Sequence, residues 1–101
     1  MAPASLTPQK IIKQIEERKD DIRKFGVKKL GLFGSFAKGS QRKKSDLDFL
    51  VIFNSPTFDN YMNLKFFLEK TFHKKIDLVT EGNLKPALQY VKEEAIYAKG
   101  I

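Results

Sequence analysis

A chain of 101 residues, with 19 lysines and arginines against 12 acids and no cysteine, suits one domain with one modest core and is too short for a second substrate-binding lobe. The missing cysteines exclude a disulfide framework and any thiolate metal centre and suit a cytoplasmic protein; no apolar run approaches the roughly 18–20 residues of a membrane span, and the amino terminus lacks a secretory pattern. The net charge of +7 does not make nucleic acid a primary partner, because the lysines are spread over every segment and the one concentrated run, Arg42-Lys43-Lys44, sits in a single loop.

In chain order, residues 1–6 are small-residue sequence expected to fray, and 1–101 reads as one domain. Thr7-Pro8 opens a helix, with threonine as the cap and proline in the first helical position. Ile11, Ile15, Ile22 and Phe25 keep helical spacing, Gln14, Glu16, Glu17, Lys19 and Asp20 fall on the wet side, and Gly26 ends the run. The Asp20-Asp21 doublet is not a metal pair, since neighbours on a helix diverge by about 100°. Val27 to Phe33 is the first predicted strand, stopped by Gly34-Ser35, after which Phe36-Ala37-Lys38 begins a short helix. A strand that turns through Gly-Ser into a helix aims free backbone N–H groups at one point, and such groups favour a phosphate.

Ten residues separate Ser35 from Asp46, and Asp46-Leu47-Asp48 then leads into Phe49 to Phe53. That run is apolar on both alternating faces, as in a central strand covered on both sides. Alternation puts Asp46 and Asp48 on one face, roughly 6–7 Å apart along the backbone, while Leu47 points away. Two carboxylates so spaced can converge on a hard cation, with Mg²⁺ the natural candidate beside a phosphate-binding turn. Because Gly34 ends the first strand and Asp46 begins the second, an antiparallel arrangement brings them together most simply. Arg42-Lys43-Lys44 either steers a triphosphate toward this site or is simply a solvated loop, and Ser45 either bonds a carboxylate or phosphate or serves the local turn.

Asn54-Ser55-Pro56-Thr57 breaks the second strand, and Phe58 to Phe72 is a strongly apolar helix whose aromatic residues read as core. His73, the only histidine, reads as helix-end surface and not as a ligand. Ile76 to Thr80 is a third strand carrying one acid, Asp77. The helical crossover makes it parallel to the second and so brings Asp77 near Asp46 and Asp48. A carboxylate inside a buried strand costs several kcal/mol unless paired or metal-bound, so Asp77 serves the site or, alternatively, pairs with Lys74 or Lys75. Glu81-Gly82-Asn83 is a turn, and Leu84 to Ala98 reads as a closing helix with Leu84, Leu88, Val91, Ala95 and Ala98 on one side. Tyr90 and Tyr97, seven apart, share a second stripe, either as a partner surface or packed against the first helix. The expected fold is α/β of order α-β-α-β-α-β-α, with a mixed sheet of three strands or slightly more flanked by helices.

Gly34-Ser35-Phe36-Ala37-Lys38-Gly39, the ten-residue interval and Ser45-Asp46-Leu47-Asp48 before an apolar strand resemble the DNA polymerase β-like nucleotidyltransferase superfamily, and with the short length resemble its minimal nucleotidyltransferase (MNT) family. The similarity runs from about Lys10 to Ile96. The resemblance implies transfer of AMP from ATP, with Asp46, Asp48 and Asp77 holding Mg²⁺, in two ions, and Asp77 assisting the second ion or taking the proton of the attacking hydroxyl. Gly34, Ser35, Phe36, Lys38 and Ser45 would then grip the phosphates. The family often has arginine where this chain has Lys38, and lysine supplies a point charge without the bidentate fork. MNT proteins typically act as the antitoxin of a HEPN-domain toxin, which makes a HEPN protein the expected partner in a hetero-oligomer, or a homo-oligomer. Three functions follow: AMP transfer to a tyrosine of that toxin, neutralisation of the toxin by binding alone, or nucleotidyl transfer to RNA or a small molecule.

Overall fold

In the computed structural model, which describes residues 7–39, 46–84, 86 and 89–101, the Thr7 hydroxyl accepts the Lys10 amide at 3.2 Å and opens helix α1 (Pro8–Glu17). Ile11 and Ile15 turn inward from it. The predicted helix does not run unbroken to Phe25. Arg18 leaves helical dihedrals (φ −110°, ψ 20°), its amide bonds Ile15 at i−3, and a second helix α2 (Lys19–Arg23) buries Ile22. No glycine or proline marks that break, so spacing alone joins the two pieces. The predictions for residues 1–6, for Arg42-Lys43-Lys44 and Ser45, and for Leu88 lie outside the described residues.

Strand β1 (Val27–Phe33) runs into helix α3 (Gly34–Lys38), and strand β2 (Leu47–Phe53) lies antiparallel to β1. Helix α4 (Phe58–Phe72) then crosses to strand β3 (Ile76–Thr80), parallel to β2. These pairings are those expected, and so are the spans except that β2 begins at Leu47 and not at Asp46, because each apolar run ends at a chemical stop: Gly-Ser, Asn-Ser-Pro-Thr or Lys-Lys. Among the described residues no helix is long and apolar enough to cross a membrane.

The carboxyl-terminal segment departs from the expected closing helix. Glu81–Asn83 forms a 3₁₀ turn, α5 (Val91–Glu94) is a single helical turn, and Ala95 opens into an extended conformation that leads to strand β4 (Ile96–Tyr97). Strand β4 pairs antiparallel with Gly31-Leu32, completing a four-stranded mixed sheet of order β3-β2-β1-β4. The reason lies in a distant residue. A Cβ on Gly31 would stand 2.9 Å from Tyr97 Cδ1 and 3.1 Å from Ala95 Cβ, so the bare glycine gives the tyrosine ring its seat. The Tyr97 hydroxyl donates to the Lys92 carbonyl at 2.8 Å and the Ala98 amide to Leu30 at 3.0 Å. Tyr97 therefore packs under α5 with Leu50, Leu84 and Val91, not against the first helix, and Tyr90 stands apart and exposed. Gly31→Ala is expected to lose about 1–3 kcal/mol, the ordinary cost of overpacking, as a lower urea midpoint. An unchanged midpoint would mean that Tyr97 swings aside freely.

The sheet's two faces are covered unequally, and this creates the site. Leu30, Leu32, Leu47, Phe49, Val51 and Leu78 face the large core under α1, α2 and α4, where Ile11, Ile15, Ile22, Leu64, Leu68 and Phe72 meet them. Residues of opposite parity (Gly31, Phe33, Asp48, Leu50, Asp77 and Val79) face the other side, where the smaller cluster of Leu50, Leu84 and Val91 lies. Burying polar groups under the large helices would be costly, so the acids occur only on the thinner side.

Candidate active site

Three neighbouring strands carry the site. Phe33 at the end of β1 pairs with Asp48 on β2, and Asp48 pairs with Asp77 on β3. Since pairing in register puts side chains of equal parity on one face, Asp48 and Asp77 stand side by side next to the Gly34 turn. Once protonated, the Asp48 carboxyl can donate a hydrogen bond to Asp77. Burial first, then the charges of Asp77 and Asp46, push the half-buried Asp48 carboxyl up from 3.8 to about 6.

The gathering is tighter for two acids than for three. Asp46 precedes the first ladder residue, Leu47; its side chain is exposed and it acts on Asp48 through charge. Among the described residues no three His, Cys, Asp or Glu side chains form a ready metal-ligand set, although the charges of both Asp77 and Asp46 reach the Asp48 carboxyl. The ladder that orients Asp48 and Asp77 does not reach Asp46. The expectation that Asp77 is buried is also corrected: its side chain is exposed, because it projects from the thinly covered face. The several-kcal/mol burial cost inferred for it does not arise.

Gly34 adopts φ +76°, and a Cβ there would overlap the Asp48 carboxylate. Positive φ and close approach both demand glycine. The first-turn N–H groups of α3 have no acceptor within the helix, and Ser35 is half-buried in that turn, one residue after the Gly34 that approaches Asp48. Phe36 contributes only its backbone, since its ring is buried in the core with the Lys74 ammonium 5.5 Å from its centre. Lys38 is exposed in the last turn of α3, which Gly39 ends in a left-handed conformation.

A cleft of about 670 Å³ opens alongside. Gly34, Lys38 and Asp77 lie on its wall, Phe33, Val79, Leu84 and Val91 give it an apolar side, and Tyr90 and Glu94 stand at its α5 end. Such a size is ordinary for a small-molecule site. Asp48, Asp46 and Ser35 are not among its lining residues. Sequence reasoning missed the α5 side because helical periodicity placed Leu84 to Ala98 on one continuous helix. The available signal was Ala95-Ile96-Tyr97, a short stretch able to pair beside Gly31.

The carboxylate pair predicts a definite pH dependence. A folded pKa of about 6 against 3.8 unfolded means that the folded form holds the extra proton between those values. Its contribution is therefore most favourable below about 4, falls as pH rises toward 6, and is fully unfavourable above that. Without metal or nucleotide, the Tm of the wild type is expected to fall relative to Asp48→Asn across this window in thermal melts. Parallel curves for the two proteins would remove Asp48 as the titrating group.

Residues 9–99 match the family model described as a nucleotidyltransferase domain. The protein adenylyltransferase MntA of Thermococcus cleftensis is 33% identical over 97 residues, covering 93% of this chain and 98% of that protein. Among solved structures, a proposed minimal nucleotidyltransferase superposes with a TM-score of 0.78 at 31% identity, covering 93% of this chain and 98% of that one. A chain from a crystal structure of a toxin–antitoxin pair with AMP-PNP superposes with a TM-score of 0.67 at 26% identity, covering 95% and 75%.

Proposed function

Because this chain belongs to the nucleotidyltransferase domain family, we propose that it transfers AMP from ATP to a hydroxyl, that of a tyrosine on a cognate HEPN toxin, and serves as the antitoxin of that pair. The observation that carries this reading is the Asp48–Asp77 pair facing the Gly34 turn. Two carboxylates pressed together in a partly desolvated site favour either a proton or a cation, and their oxygens suit Mg²⁺, which is commonly held by one or two carboxylates plus substrate phosphates. Asp48 and Asp77 would hold it, with Asp46 adding charge from the strand entrance. When bound, Mg²⁺ supplies Lewis-acid polarisation of the phosphate oxygens.

The remaining work falls to the chain's own groups. Backbone N–H groups of Ser35 and Phe36, with the Ser35 hydroxyl, grip the β- and γ-phosphates, and Lys38 balances their charge from the cleft wall. Helix α3 is only five residues long, so this grip rests on the directed N–H groups more than on any helix dipole. The acceptor oxygen attacks the α-phosphorus, the bond to the bridging oxygen breaks and pyrophosphate leaves. Asp77, the exposed member of the pair, either assists the metal or accepts the hydroxyl proton.

Incubating the protein and its HEPN partner with α-labelled ATP and Mg²⁺ tests the reading. Label should appear on a partner tyrosine and vanish with Asp48→Asn; label retained in that variant would defeat the assignment. A second reading, neutralisation by binding alone, is favoured by Lys38, a point charge where the family often has the bidentate fork of arginine. It predicts that partner inhibition persists without ATP and with Asp48 and Asp77 both replaced by asparagine.

A further inference from the structure

The chain has three tyrosines, and the fold treats their hydroxyls differently. Tyr61 donates to the Leu78 carbonyl at 2.6 Å, and Tyr97 to the Lys92 carbonyl at 2.8 Å. Burial, as the largest cause, pushes both phenols above their ordinary range, which further disfavours either as a nucleophile. Tyr90 is 48% exposed, and its hydroxyl has no hydrogen-bond partner among the described residues. Among the described residues it is also the only hydroxyl-bearing side chain that lines the cleft with Gly34, Lys38 and Asp77.

An uncommitted phenol on the wall of a group-transfer cleft has two alternatives: to support the nucleotide or to react with it. We propose that Tyr90 is a self-modification site, a nucleotidyl acceptor used when no protein partner fills the cleft, an inference that rests on the transfer activity proposed above. The Tyr90 oxygen attacks the α-phosphorus of a nucleoside triphosphate, a new O–P bond forms, and the bond from that phosphorus to the bridging oxygen breaks. Pyrophosphate leaves and the phenolic proton passes to the Asp77 carboxylate, so nothing is oxidised or reduced. The product is a tyrosyl phosphodiester whose nucleoside stays in the cleft. A nucleophile held in the same cavity as its electrophile gains the advantage of an intramolecular reaction, and the cleft of about 670 Å³ is lined by Tyr90, Lys38 and Asp77, with room for a nucleotide among them. The modified protein would then be blocked toward its partner, so its own product would limit its activity.

The test uses the full chain alone with α-labelled ATP and Mg²⁺, followed by intact mass and peptide mapping, and in parallel the chain with its HEPN partner. One AMP per chain is expected on the Tyr90 peptide, at a first-order rate independent of protein concentration. Tyr90→Phe should lose the label yet keep the ATP-induced rise in Tm, since the ring remains, and Tyr61→Phe should keep the label. Label on another residue, a rate that grows with protein concentration, or a labelled partner beside an unlabelled chain would each overturn the proposal while leaving partner modification standing. A wild type that is never labelled, together with a Tyr90→Phe variant that loses the ATP-induced Tm rise, would make Tyr90 a wall of the nucleotide site instead. Absence of label on both proteins would remove the transfer reading and this inference with it.

Discussion

Asp48→Asn is expected to slow nucleotidyl transfer by at least about a hundredfold, the scale on which a preorganised electrostatic group acts, without loss of stability at neutral pH. The two halves of this result come from one geometry. Asp48 stands between Phe33 and Asp77 of the adjacent strands, and its ionised form is opposed by burial and by the charges of Asp77 and Asp46. Asparagine keeps the shape and can donate to Asp77, so the folded protein sheds a repulsion when the charge is removed. A functional group held against its own electrostatic preference is the usual mark of a site shaped for something other than stability. Initial rates with labelled ATP, beside thermal melts at pH 8, check both halves. A variant that melts several degrees lower would show that the Asp48 carboxylate supports the fold, contrary to the argument.

Gly34→Ala is expected to be the most damaging single change in the turn, costing about 2–4 kcal/mol from left-handed backbone strain and overpacking together. For a domain of this size that corresponds to a fall in Tm of roughly 10–25 °C. The strain follows from φ +76°, and the overpacking from a methyl group aimed at the Asp48 carboxylate. Relief requires the carboxylate to leave Asp77 or the turn to open, so ATP-induced stabilisation should disappear in whatever fraction still folds. Gly39→Ala is the internal control, since Gly39 has nearly the same φ, +74°, but none of the described residues comes within 4 Å of an added Cβ. It should lose only the backbone part, about 1–2 kcal/mol. Equal losses at the two positions would mean that the approach to Asp48 does not matter.

Much of this architecture was legible in the residues. The spans of β1, α4 and β3 follow from apolar runs with clear stops, and the direction of each strand pairing follows from connection length: a loop and short helix joining β1 to β2, a full helical crossover joining β2 to β3. The break at Arg18 was not legible, because neither residue type nor spacing marks it. Strand β4 was missed because Leu84 to Ala98 satisfies a helical period, and the alternative depends on the bare flank of Gly31, more than sixty residues earlier.

The sequence by itself determined which residues share a face. Parity along β2 and β3 puts Asp48 and Asp77 on the face opposite the large core, and the register of the ladder then makes them neighbours. Only the tertiary structure decided how each acid behaves. Asp48 is half-buried and pushed toward neutrality, Asp77 lies open to solvent and Asp46 falls short of the ladder, because burial depends on where the helices settle. Three of them cover one face of the sheet, and only a short helical turn and its neighbours reach the other. No local pattern encodes that difference in cover, since it is set by contacts between segments distant in the chain.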